Sequence, residues 1–313
     1  MTTLLITHTD CDAHITPPGH PEQVARLEHI RAALDAPRFN ALTRLDAPLC
    51  NDADILLCHP QPYLARVTAA EPAPERGWVS LDGDTHMTAG SVQAARRAVG
   101  GNIAAVDAVL DGRARNAFVA CRPPGHHAET ATAMGFCLFG NAAIAARHAL
   151  ERRGLSRVAI IDFDVHHGNG TQDLMWNEAR CLFASSHQMP LYPGSGAAQE
   201  RGAHGNVLNR PLAPGTDGTA MRAAYTREIL PAVRAFAPEL IVVSAGFDAH
   251  RADPLANLGW ETEDFGWLTE HICDLAGDLC DGRVVSTLEG GYDLAALAAS
   301  AARHVGVLME RGA

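Results

Sequence analysis

Along the chain, short apolar runs alternate with longer stretches in which apolar residues recur every three or four positions. The runs predict strands at Leu4–Thr7, Asn116–Cys121, Val158–Ile161, Arg180–Ser185, Leu240–Ser244 and Val284–Leu288. The longer stretches predict helices over Glu22–Leu34, Pro60–Ala69, Ser91–Leu110, Leu138–Arg153, Thr171–Trp176, Thr219–Phe236, Thr262–Leu279 and Leu294–Met309. Runs such as V-A-I-I and L-I-V-V are apolar at every position, the mark of strands buried on both faces of a parallel sheet. Strands alternating with helices predict an α/β fold. No internal repeat or low-complexity linker interrupts the pattern. Its 313 residues can share one core, so we read 1–313 as a single domain. The loops Thr9–Pro21, Glu71–Thr88 and His187–Gly205 are long, and long loops in a compact domain usually carry function.

Polar chemistry gathers where the predicted strands end. Arg157–Thr171 reads R-V-A-I-I-D-F-D-V-H-H-G-N-G-T, a buried run that breaks into Asp162, Asp164, His166 and His167. Ionisable groups at the mouth of a buried strand are costly unless paired or metal-bound. Alternation along a strand places Asp162, Asp164 and His166 on one face. By itself the stretch suits a buried Asp–His pair in a turn nearly as well as half of a metal site. Pro238–His250 supplies the second half: another buried run, then Asp248. In open parallel sheets, sites form beyond the carboxyl ends of the strands. Asp164, His166 and Asp248 are then three ligands with one position open, the pattern of a catalytic zinc.

Two further strand ends carry candidates. Arg122–His127 (R-P-P-G-H-H) offers adjacent histidines on a stiff loop, with Asp162 and Asn169 as orienting partners. An Asp partner raises imidazole basicity while an Asn only orients the ring, so the two histidines are expected to differ in role. Leu288–Asp293 (L-E-G-G-Y-D) has Gly290 where the backbone must approach closely, and we count it with the substrate-contacting positions. The Tyr292 hydroxyl suits a developing oxyanion, although a tyrosine capping the core fits its sequence context as well. Phe136 and Tyr192 read equally as channel walls or as core aromatics.

Composition narrows the classes. Net charge is −11 without a basic cluster, which argues against nucleic acid as a partner. No span approaches membrane-crossing length, and Met1–His8 lacks a secretory pattern. Eight cysteines without a C-x-x-C predict reduced thiols and a cytoplasmic setting. No G-x-S-x-G supports a serine hydrolase.

Taken together, R-P-P-G-H-H, D-F-D-V-H-H-G-N-G-T, S-A-G-F-D-A-H-R-A-D-P and L-E-G-G-Y resemble the zinc-dependent histone deacetylase family. Its bacterial deacetylase-like amidohydrolases and acetylpolyamine amidohydrolases are included in that likeness, which runs from H-P-E near His20 to Tyr292. Asn169 gives it a class II flavour. The resemblance implies an arginase/deacetylase fold: one mostly parallel eight-stranded sheet with helices on both faces. It implies zinc on Asp164, His166 and Asp248, with iron(II) as a substitute. It places Asp162 behind His126, Asn169 behind His127, and makes Tyr292 the transition-state donor. It implies a structural potassium ion held by Asp162, Asp164, His166, Ser185 and Ser186, largely through main-chain oxygens. Gly135, Phe136 and Tyr192 would line an acyl-lysine tunnel, and Arg26 matches an internal-channel arginine. Gly168 and His250 stand where two-metal relatives carry acids, which argues against a second catalytic metal. Leu255 stands where one polyamine-specific type has a glutamate. The expected reaction is removal of acetyl or short acyl groups from acyl-lysine or a related amine, with an acetylpolyamine or another small amide as the alternative substrate. Neither a membrane nor nucleic acid is expected as a partner, and a homo-oligomer is compatible with the sequence.

Overall fold

Val158–Ile161, Leu240–Val243 and Val284–Val285 are apolar at consecutive positions, and every one of these residues is buried in the computed structural model, which describes residues 2–312. Such segments need a sheet with both faces covered, and they form its centre. The strands are β1 (Thr3–Thr7), β2 (Thr43–Asp46), β3 (Trp78–Ser80), β4 (His86–Thr88), β5 (Asn116–Val119), β6 (Val158–Asp162), β7 (Cys181–Gln188), β8 (Val207–Leu212), β9 (Leu240–Ala245) and β10 (Val284–Leu288). Eight of them make one sheet in the order β2-β1-β5-β10-β9-β6-β7-β8, and β3 and β4 form a separate hairpin. Every pairing in the large sheet is parallel. Helices Ser91–Leu110 and Asn141–Glu151 pack together over β5, β10, β6 and β9. Ala25–Leu34, Thr262–Cys280 and Leu294–Gly312 form the other helical layer. This is the expected α/β architecture.

The order of the strands builds the site. β5, β10, β9 and β6 are consecutive neighbours. Because all four run the same way, the loops that carry His126, Tyr292, Asp248 and Asp164 leave the same edge of the sheet.

Several elements depart from the sequence reading. β2 is T-R-L-D, exposed at all four positions, so no apolar run announces it. β8 is V-L-N-R-P-L; an edge strand tolerates a proline because one side of its backbone is unpaired. The predicted helix Thr219–Phe236 is interrupted by a π-helical turn at Tyr225–Ile229, where Pro231 provides no N–H for the regular ladder. Helix Asn141–Glu151 starts three residues later than expected, because Leu138 and Phe139 are buried in the loop before it. Among the described residues, no helix is long and apolar enough to cross a membrane.

Candidate metal centre and active site

β6 ends at Asp162, so strand alternation does not extend to Asp164 and His166, contrary to the sequence reading. Side chain-to-backbone bonds orient the turn instead. Asp162 Oδ1 accepts the Asp164 N–H at 3.1 Å, and Asp164 Oδ1 accepts the His166 N–H at 2.9 Å. Asp162 is turned away from the metal group, with Oδ2 3.0 Å from His126 Nδ1. From the end of β9, Asp248 reaches across to accept the Val165 N–H at 2.9 Å. His166 Nδ1 then lies 3.2 Å from Asp164 Oδ1 and 3.2 Å from Asp248 Oδ2. Asp164, His166 and Asp248 are buried, and one donor atom from each lies within 4.8 Å of the others.

These residues fit a small divalent ion. Bonds of about 2.0–2.1 Å to a tetrahedral ion put its ligands roughly 3.3 Å apart, close to the separations found here. The electrostatics agree. Burial, and then the charge of Asp164, push the Asp248 carboxyl up to about 7. Burial opposes protonation of His166, yet the two carboxylates raise it to about 10. With no cation beside the two carboxylates, protonated His166 is their nearest positive partner and Asp248 is the acid driven towards neutrality, a position a divalent ion would reverse. Gly290 is needed here: its N–H donates to Asp164 Oδ2 at 2.8 Å, and a Cβ would overlap carboxylate oxygens of Asp248 and Asp164. Its backbone is thus in direct contact with the carboxylates of Asp164 and Asp248.

The tandem histidines stand beside this group, their rings 4.0 Å apart. Burial works against charge on His126, but Asp164 and Asp162 outweigh it and hold the imidazole well above its ordinary value. His127 Nδ1 faces Asn169 Oδ1 at 2.7 Å, and burial together with the charges of His126 and His166 pushes it well below. Tyr292 packs edge-on to Phe136, with ring centres 5.9 Å apart, and lies under the Arg26 guanidinium at 5.0 Å. Burial raises its phenol above the usual value, with Arg26 opposing and Asp248 and Asp164 adding to the rise, so the hydroxyl stays protonated.

A cavity of about 370 Å³ opens onto these groups. Phe136, Leu191, Tyr192, Leu255 and Tyr292 supply its apolar wall, and His127 and His166 its chemistry. Gly135 also lines it, at φ +53°, because a Cβ there would strike the His127 ring. Phe136 holds φ +68° to present its ring, a conformation uncommon outside glycine. Asp84, His20 and His86 join the lining, a contribution the sequence reading missed.

The expected potassium ligands are brought together only in part. Asp162 and Ser185 are register partners on β6 and β7. The Ser185 hydroxyl is bonded to His187 Nδ1 at 2.9 Å and that of Ser186 to the Tyr225 hydroxyl at 2.8 Å.

Arg26, expected from the family motifs, and two unpredicted acids support the site. Glu289 Oε2 accepts the N–H groups of Gly125 and His126 at 2.7 and 3.1 Å, tying the histidine loop to β10. Asp253 Oδ2 accepts the Tyr292 N–H at 2.7 Å. Arg26 donates to the carbonyls of Gly291 and Glu289, clamping the turn before Tyr292. An acid directly after a buried strand was the available signal for Glu289.

The histone deacetylase domain matches residues 20–308. The chain belongs to the histone deacetylase family. Among its relatives, a histone deacetylase-like amidohydrolase of Pseudomonas aeruginosa is 42% identical over 279 residues, 88% of this chain and 73% of that one. Histone deacetylase 14 of Arabidopsis thaliana, a chloroplastic protein, is 41% identical over 303 residues, covering 91% and 71% respectively. A crystal structure of the HDA15 HD domain superposes with a TM-score of 0.92 at 33% identity, covering 99% of this chain and 89% of that one. The arginase/deacetylase fold expected from the motifs is therefore present, and with the family comes hydrolytic deacetylase chemistry.

Proposed function

We propose that this deacetylase-family hydrolase is a mononuclear zinc enzyme that removes acetyl or other short acyl groups from lysine side chains or related amines. The observation that carries the reading is the placement of Asp164, His166 and Asp248, beside two histidines of opposite electrostatic bias, at an apolar cavity of about 370 Å³. When bound, the cation supplies Lewis-acid polarisation of an amide carbonyl and lowers the pKa of water.

The chain's own residues do the rest. His127, kept neutral, takes a proton from water at Nε2 and delivers it to the departing amine. His126, held cationic between Asp162 and Asp164, contributes positive charge next to the reacting carbonyl. The Tyr292 hydroxyl donates to the developing oxyanion. Phe136, Tyr192 and Leu255 exclude water around the aliphatic chain of the substrate. A potassium ion on main-chain oxygens near Asp162 and Ser185 would brace the strand ends. The eight unpaired thiols suit a reducing compartment such as the cytoplasm.

A small cationic amide, such as an acetylpolyamine, is the second reading. The Asp84 carboxyl in the cavity lining and the overall charge of −11 favour it. A kinetic panel that varies acyl group and amine carrier decides between them, with metal content measured on the same samples. Turnover of acetyl-lysine peptides above acetylputrescine supports the first reading, and the reverse order supports the second. Full activity after complete removal of metal would overturn both.

A further inference from the structure

The Asn169 amide has two chemically different ends, and His127 works as a base only if the correct end faces it. Asn169 Oδ1 lies 2.7 Å from His127 Nδ1. An oxygen there can only accept, so Nδ1 carries the proton and Nε2 is free to take one. Turned over, the amide would present its NH₂, forcing the proton onto Nε2 and removing the base. Asn169 therefore needs something to hold it one way round.

The structure assigns that task to Glu129, as the positioning residue that sets the Asn169 amide and through it the tautomer of His127. Glu129 Oε1 lies 2.9 Å from Asn169 Nδ2. A carboxylate offers acceptors only, so it selects the NH₂ end. The Met134 thioether, 3.3 Å from the same nitrogen, is a weak acceptor of the same sense. The chain Glu129–Asn169–His127 is thus polarised in one direction, ending on a bare Nε2. Glu129 is placed beforehand by its backbone. Its N–H and carbonyl both pair with Thr132, at 3.0 and 3.4 Å. Neighbouring Thr130 is fastened through N–H and hydroxyl to Asp173 Oδ2, at 2.8 and 2.6 Å. Asp173 lies in the helix that Asn169 begins, so the neighbour of Glu129 is anchored to the same helix that carries Asn169.

This inference rests on the reading of His127 as the general base, and its test separates the two. The deciding variant is E129K in the metal-loaded enzyme, because an ammonium can only donate and selects the opposite amide orientation. Its kcat should fall about ten-fold or more, towards the ~10⁴-fold that a wrong tautomer can cost, with KM unchanged. Adding N169D to the E129K chain should restore kcat to within about ten-fold of wild type, because a carboxylate accepts from both neighbours. In the wild-type chain N169D should lower kcat, because it sets two carboxylates face to face. Wild-type kcat in E129K, or no rescue by N169D, overturns the proposal. If E129K fails to fold, imidazole ¹⁵N shifts decide it, with His127 assigned through H127A. His127 should be Nδ1-protonated in wild type and mixed in E129A; an unchanged tautomer in E129A refutes the assignment. An enzyme that turns over normally as H127A would refute the general-base reading itself.

Discussion

Glu22 is the residue whose loss should be felt furthest from its own position. It is fully buried, and its carboxylate joins two buried arginines. Oε1 meets Arg122 Nε and, at 3.1 Å, Arg26 Nη1, while Oε2 accepts from Arg122 Nη2 at 2.6 Å. Arg122 opens the histidine loop, and Arg26 clamps the turn before Tyr292. Burial would raise the Glu22 carboxyl, but the two guanidinium groups overcome it and hold it at about 2 against an ordinary 4.5. At neutral pH that difference is worth about 3 kcal/mol to the folded state. Removing one partner of a buried ion pair costs ~3–5 kcal/mol, which agrees. Glu22→Gln keeps the size and one acceptor, so about 3 kcal/mol is expected, or roughly 6 °C in Tm at about 2 °C per kcal/mol.

The pH dependence has a fixed sign. A depressed carboxyl contributes fully above its unfolded value and loses that contribution as pH falls towards its folded value. Urea unfolding of the wild type and E22Q should therefore show a constant gap above about pH 5. The gap should narrow as pH falls below about 4.5 towards 2. Stability of E22Q within about 0.5 kcal/mol of wild type would refute the reasoning, and so would a gap that widens in acid.

Three other outcomes are expected. Tyr292→Phe should melt like the wild type and lose ~10²–10³ in kcat, since it removes one oxyanion donor; steady-state kinetics beside calorimetry check both halves. Gly290→Ala should abolish metal retention, because its Cβ overlaps the oxygens of Asp164 and Asp248; elemental analysis after gel filtration is the direct measurement. Chelation should remove one divalent ion per chain together with all turnover, and zinc should restore it; two ions per chain would contradict the mononuclear reading of Gly168 and His250.

What the chain reveals by itself follows from where its chemistry is local. Consecutive apolar residues such as Val158–Ile161 require a sheet covered on both faces, so six strands and the α/β class were legible. The convergence of Asp164, His166 and Asp248 was legible because each follows a buried run, where a charge is hard to explain without a task; His126 and His127 were candidates on the same ground, and Tyr292 took its expected role from the family motifs. β2 and β8 were not, because edge strands have little apolar surface to bury and leave no periodic trace. Only the folded order β5-β10-β9-β6 brings four distant loops to one edge. Only the folded chain sets Glu22, Glu289 and Glu129 under the residues that act. In the sequence these three acids carry no sign of their partners. Their meaning comes from partners up to 164 residues away, and no local pattern encodes which arginine, backbone amide or asparagine a buried carboxylate will meet.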